Sequence, residues 1–353
     1  MARFSTLHRA VSRLTLLTLL ALPLACDREP TAPAPKLPTK PEVSILTPPP
    51  SLIPDFDASQ YFSIDVQRAA QTQRGASATA VALSNHLYGW RAKVGTQLYS
   101  IDMQRAVADQ YGSGYILGAV GVGVYDWRAV KWSALANRVL PVMPIGSDYF
   151  WNVSAVQTGL ANFRSVLIAI RNWYGWRAGK SFRLLQPLVV PLQSNQTAAQ
   201  WNALANLSTQ DAHRYDFMNA AIAEYQRSYP APGSALRAVI VPFTGTSLDI
   251  WNGAASTGSY AVEAPRGTSI TCPATGPLDS RCADATYAIG HELGHTLIGE
   301  GNHSCYYYPD YPNCEQSIMQ WGKPQDAILI PDYNGKTGEI SKFNATPFFF
   351  VTY

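Results

Sequence analysis

The chain has 353 residues, 47% of them hydrophobic and 14% charged, which is enough apolar material for one sizeable domain and a smaller one. Its 27 basic and 24 acidic residues leave a formal net charge of +3. No basic cluster interrupts this balance, so the chain has no electrostatic footprint for nucleic acid.

Residues 1–25 read as an export signal. Arg3, Arg9 and Arg13 form a basic start, and the apolar run over 14–24 is too short to span a membrane as a mature helix. The run ends at Leu22-Pro23-Leu24-Ala25-Cys26, which is similar to a bacterial lipobox in which Cys26 is lipidated and becomes the new N-terminus. Pro23 is unusual in that position, and ordinary signal cleavage nearby would instead release a soluble protein. The expected location is therefore the bacterial cell envelope, with the chain lipid-anchored, or the exterior, with the chain secreted. Residues 26–58 follow as a linker dominated by proline, including Pro30, Pro33, Pro35, Pro38, Pro41 and Pro48-Pro49-Pro50. Such a segment is an extended, semi-rigid spacer that holds a folded body clear of the membrane.

An internal repeat marks an accessory domain over 59–150. Phe62-Ser63-Ile64-Asp65-Val66-Gln67-Arg68-Ala69-Ala70 recurs as Tyr99-Ser100-Ile101-Asp102-Met103-Gln104-Arg105-Ala106-Val107, an offset of 37 residues. Tyr88-Gly89-Trp90-Arg91-Ala92 recurs at the same offset as Tyr125-Asp126-Trp127-Arg128-Ala129. Each unit predicts a short helix capped at Ser63 or Ser100, stopped near Gly75 or Gly112, and followed by a strand such as 114–124. Two units are too few for a solenoid, so a small α/β domain packed on the C-terminal body of the chain is expected. Adhesion, substrate capture and a cover over a site in that body all remain open as its role. The lone His86 reads as structural.

The third Tyr174-Gly175-Trp176-Arg177-Ala178 breaks this period and ends a helical pattern over 154–173, which opens the body at 154–353. A strand is predicted over 181–192, an amphipathic helix over 210–229 and a buried strand over 236–243, with Pro230 and Pro232 separating the last two. His213 on that helix reads as ordinary. Residues 258–264 alternate as a further strand. Apart from Cys26, the four cysteines fall as two close pairs, Cys272 with Cys282 and Cys305 with Cys314, and an oxidising compartment makes each a short-loop disulfide. The rival reading, a cysteine-type structural zinc site, lacks any C-x-x-C spacing. A last helix is expected over 336–344, with Phe348-Phe349-Phe350 packing back on the body.

The chemistry is concentrated at His291-Glu292-Leu293-Gly294-His295, an H-E-x-x-H on a helical pattern. At i, i+4 the two imidazoles lie one turn apart on one face, close enough for a single zinc ion, with Glu292 within reach of a water there. Ile289, Leu293 and Leu297 repeat about 200° around the helix and give it a face to pack inward. A catalytic zinc takes three protein ligands and keeps one open position. His303 arrives after Gly299-Glu300-Gly301-Asn302, where two glycines allow the helix to stop and the chain to fold back. Ser317-Ile318-Met319-Gln320-Trp321 then forms a short turn around one of five methionines.

Together these features resemble the metzincin zinc peptidases, whose long motif is H-E-x-x-H-x-x-G-x-x-H followed by a Met-turn. The likeness is strongest over 291–319; elsewhere over 154–353 it rests on the order of elements. It implies an α+β fold with a mixed twisted sheet and one catalytic Zn2+ held by His291, His295 and His303. It also implies Glu292 as general base, Met319 beneath the metal, and an edge strand at Tyr260, Ala261 and Val262 that pairs with the substrate backbone. Two departures stand out. Gly299 lies four and His303 eight residues after His295, a two-residue expansion that makes Glu300 a rival third ligand. Trp321 stands where several members carry a tyrosine; Tyr306, Tyr307, Tyr308 or Tyr311 could substitute, although that run also reads as a packed surface loop.

The expected function is a zinc-dependent endopeptidase acting on extracellular or envelope proteins, with a peptide or protein substrate and membrane contact through the N-terminal lipid. The alternative is a non-catalytic, zinc-stabilised adhesion lipoprotein, and an amidase acting on cell-wall peptides would share the chemistry. The sequence leaves oligomeric state and cleavage specificity open.

Overall fold

The computed structural model describes residues 60–298, except 136–137, 150, 179, 185–189, 209–212, 233–235, 246–252, 257–259, 264 and 274–279, together with 351–352. Every described residue lies in one compact unit of the chain.

The repeat is built as two β-α-β-β units. The first contains β1 (Tyr61–Ser63), α1 (Val66–Arg74), β2 (Thr79–Ala82) and β3 (Trp90–Val94). The second contains β4 (Gln97–Ser100), α2 (Met103–Tyr111), β5 (Tyr115–Ala119) and β6 (Trp127–Lys131). Their strands are exchanged: the two antiparallel sheets run β1-β6-β5 and β2-β3-β4, so the first strand of each unit completes the hairpin of the other. Side chains repeat this exchange. Gln73 bonds both backbone groups of Asp102, and Gln110 bonds both of Asp65. The Trp90 indole donates to the Val124 carbonyl at 2.7 Å, and the Trp127 indole donates to the Leu87 carbonyl.

The helix stops fall at Gly75 and Gly112 as expected, both with positive φ (99° and 85°) that a side chain would strain. The starts need correction. The N-caps are Asp65 and Asp102, whose carboxylates accept from the Arg68 and Arg105 backbone N–H groups, whereas Ser63 and Ser100 end strands. The chain stays extended through each serine because its backbone is used in strand pairing, and it turns two residues later at an aspartate able to satisfy an orphan N–H.

Next come β7 (Arg138–Ile145), α3 (Val153–Ala178), β8 (Lys180–Ser181), β9 (Arg183–Leu184) and β10 (Val190–Gln193). They are followed by α4 (Ala198–Leu207), α5 (Arg214–Gln226), β11 (Leu236–Ile240), β12 (Gly253–Ser256), β13 (Tyr260–Glu263), α6 (Ser280–Ile298) and β14 (Val351–Thr352). One six-stranded sheet runs β10-β7-β11-β13-β12, with β9 also beside β7. All its pairings are parallel except β12 with β13. β8 pairs instead with β14.

Strand alternation sorts the side chains into two cores. Val139, Met143, Val239 and Ala261 face α3 and α6, while Leu140, Val142, Ala238, Ile240 and Val262 face α4 and α5. The result is a mixed α/β body with helices on both faces of the sheet. Helix α3 is long and apolar enough by composition to cross a membrane. Its Val156, Leu160, Phe163, Val166, Leu167 and Ile170 are buried against the sheet and α6, which accounts for that composition.

β7 lies at the centre of this sheet, although its sequence belongs to the stretch assigned to the accessory domain; the sheet thus draws strands from both sides of the 150–154 boundary. Pro141 and Pro144 argue against a central strand. Their carbonyl side remains usable, and the Pro144 carbonyl accepts from the Phe243 N–H at 2.7 Å.

The repeat sits against β10, at the opposite edge of the sheet from β12. The Tyr88 phenol donates to the Pro191 carbonyl at 3.1 Å, and the Tyr229 phenol donates to the Leu117 carbonyl at 2.8 Å. Ile116 and Val130 of the second unit join the core of the body, whereas their counterparts in the first unit, Thr79 and Lys93, are exposed. These apolar-for-polar differences decide which of two similar sheets docks.

Candidate functional site

Helix α6 is placed from below. Ile289 and Leu293 are fully buried in the core shared with α3, and the Tyr174 phenol of α3 donates to the Gly290 carbonyl at 2.8 Å. The segment leading into the helix is also held by α3. Asn162 donates to the Thr268 carbonyl, Thr271 bonds Asn162, and the Cys272 N–H donates to Ser165 Oγ. Cys272 and Cys282 stand at disulfide distance with Cα atoms 5.5 Å apart, in agreement with the expected pairing. Cys305 and Cys314 lie outside the described residues.

On the other side of the helix, His291 and His295 are brought together. Their Nε2 atoms are 3.0 Å apart, with the rings edge to face at 86° and centroids 4.6 Å apart. Two imidazole nitrogens bound tetrahedrally to one zinc at its usual bond length are about 3.3 Å apart, so the pair has the bite of a chelate and needs only a slight opening. The face they occupy is not open: His291 and Glu292 are 8% and His295 6% exposed. A charged carboxylate there is unfavourable unless a cation or hydrogen bonds compensate it. The Tyr287 ring lies one turn back against His291, at 5.5 Å and 31°. Its phenol is held above its ordinary value near 10, first by burial and then by the charge of Glu292.

Among the described residues, no group of three or more side chains able to hold a metal converges. His291 and His295 supply two nitrogen donors, and the expected third ligand, His303 or its rival Glu300, lies outside the described residues, as do Met319 and Cys26. The residues present fit a zinc ion in donor chemistry and spacing.

The expected edge strand needs correction. Tyr260, Ala261 and Val262 form β13, which is buried and hydrogen-bonded on both sides, to β11 and to β12. Tyr260 points to the far face of the sheet, where its ring packs edge-on against Tyr225 at 5.5 Å. The edge is one strand earlier, at Gly253–Ser256, and among the described residues nothing pairs with its outer side. Its Gly-Ala-Ala-Ser sequence has little β propensity, which is why alternation picks out its neighbour instead.

The sequence reading also missed Tyr287 and Tyr174. A signal for the first existed, since Tyr287 precedes His291 by the same four-residue step that separates the two histidines. The other two described histidines stay apart from the site. His86 is buried and accepts the Tyr88 N–H at Nδ1, and His213 pairs with Asp216 at 2.8 Å.

No family model, curated protein or solved structure matches this chain.

Proposed function

We propose that the chain is a zinc-dependent endopeptidase of metzincin type, exported to the cell envelope or beyond. The observation that carries this reading is the 3.0 Å approach of two histidine Nε2 atoms on one buried helix face, with Glu292, also buried, next to His291 in the chain. The surrounding architecture supports it: a parallel sheet with one antiparallel edge strand, whose last strand leads through a connecting segment into the helix that bears the histidines.

In this reading His291, His295 and His303, or Glu300 in place of the last, hold one zinc ion. When bound, that ion supplies a Lewis acid that makes water more acidic and polarises a peptide carbonyl. Glu292 accepts the proton of the attacking water on a carboxylate oxygen and then delivers it to the departing amine. Burial strengthens this exchange, because a carboxylate in a low-dielectric setting interacts more strongly with a nearby proton or cation. The backbone of β12, free on its outer side among the described residues, pairs with an extended substrate and presents the bond to be cut. Met319 supports the base of the site, and Cys26 carries the lipid anchor if the lipobox is used.

The test is cleavage of an unbiased peptide mixture by zinc-loaded protein lacking residues 1–58, read by mass spectrometry beside its Glu292→Ala variant. Cuts made by the parent alone support the proposal. Stoichiometric zinc with no cuts by either protein sinks the peptidase reading.

A further inference from the structure

We propose that Tyr287 is the positioning residue of the site, acting through its ring to fix the orientation of His291. This rests on the reading of His291 as a zinc ligand and adds a residue to it. Side chains on an α-helix lean toward the N-terminus and lie over the residue one turn earlier. Tyr287, His291 and His295 occupy i, i+4 and i+8 of α6, so each histidine leans on an aromatic ring. His295 meets His291 edge to face at 86°, whereas His291 lies at only 31° to Tyr287 with centroids 5.5 Å apart.

The two tilts constrain the rings differently. An imidazole rotates about its last torsion in a broad well, and a ligand must aim one nitrogen at a fixed point. The phenyl face of Tyr287 restricts that rotation in His291 and leaves Nε2 aimed at the Nε2 of His295. Tyr287 is itself only 6% exposed and belongs to the hydrophobic core that α6 shares with α3, so it does not yield easily. The helix beneath is held separately by the Tyr174 bond to Gly290. Backbone placement and ring orientation therefore have different causes, and each can be removed without the other.

The experiment measures zinc affinity by competition with a chromophoric chelator for the parent, Tyr287→Phe and Tyr287→Leu, with a thermal melt of each apo protein. Phenylalanine keeps the ring and is expected to bind zinc within about twofold of the parent. Leucine keeps much of the volume but not the flat face, and is expected to lose roughly ten- to a hundredfold in affinity, the range found for residues that orient a metal ligand. A residue that only fills the core would lower the apo melting temperature in Tyr287→Leu and leave zinc affinity unchanged, which overturns the proposal. Loss of affinity in Tyr287→Phe also overturns it, because the hydroxyl would then be the acting group. If Tyr287→Leu does not fold, nuclear Overhauser contacts between the Tyr287 and His291 rings in the parent decide; their absence overturns it. A parent that binds no zinc would instead remove the reading of the site itself.

Discussion

The Tyr174 phenol donates a 2.8 Å hydrogen bond to the Gly290 carbonyl, tying the core helix α3 to the residue just before the first histidine of the site. That carbonyl belongs to a helical turn, so the bond is an addition to the helix ladder and not a replacement for it. Tyr174→Phe should keep the fold and cost about 1 kcal/mol, the usual net worth of a buried hydrogen bond. Denaturant unfolding of parent and variant checks this, and an equal midpoint would show that the bond contributes nothing.

The third zinc ligand is open between His303 and Glu300, and a pair of variants separates them. His303→Ala should weaken zinc binding by more than the roughly ten- to hundredfold typical of residues that merely orient a ligand, while Glu300→Ala should fall below that range. Dialysis against buffered zinc with metal analysis reads both, and the reverse order would assign the site to the carboxylate.

The link between Cys272 and Cys282 closes a loop of ten residues at the start of α6. The double variant Cys272→Ala/Cys282→Ala should lose about 2–3 kcal/mol, since a short loop is a modest constraint on the unfolded chain. Reduction should lower its melting temperature by less than it lowers that of the parent, because the expected Cys305–Cys314 link remains in both.

The two repeat helices offer a matched pair. Asp65→Ala and Asp102→Ala each remove an N-cap and should each cost about 1 kcal/mol. The caps are alike in partner and bond length, 2.8 Å for Asp65 and 2.9 Å for Asp102. Nearly equal losses in denaturant midpoint are therefore expected. A clear difference would mean that docking on the body, which only the second unit's sheet makes with its apolar face, props up α2.

The pH profile of stability follows from buried phenols. Burial is the leading cause that holds Tyr88, Tyr225, Tyr229 and Tyr287 above their ordinary value. The folded state therefore keeps these protons more tightly than the unfolded chain does. Their contribution is fully present below about pH 10, the unfolded value, and is lost as pH rises toward the higher folded values. Denaturant midpoints measured from pH 8 upward should stay level and then fall beyond about pH 10, and Tyr225→Phe should make that fall shallower. A midpoint that rises with pH in this range would contradict the sign.

Much of this molecule was legible because its strongest signals are local. The i, i+4 step of His291 and His295, the 37-residue offset and the glycine stops at Gly75 and Gly112 are short-range patterns that a folded chain cannot easily disobey. What escaped was mostly relational. That β13 is interior and β12 is the edge depends on pairing between segments, which alternation does not encode. Helix α4 was missed although Thr197 and Gln200 form a capping box across its start, a signal present in the sequence. β7 was hidden by its two prolines. Tyr287 was overlooked because an aromatic residue at helical spacing usually means core, and here it is both core and neighbour to His291.

The exchanged strands of the repeat bear on its origin. A single unit standing alone would have a hairpin bare on both edges and a leading strand with nothing to pair to. It could pair that strand, and cover one of those edges, only by trading with a second copy of itself, as swapped dimers do. The tandem chain therefore encodes in one polypeptide the assembly that two free units would have to find by collision. Cutting it between β3 and β4 should release halves that reassociate rather than halves that fold apart.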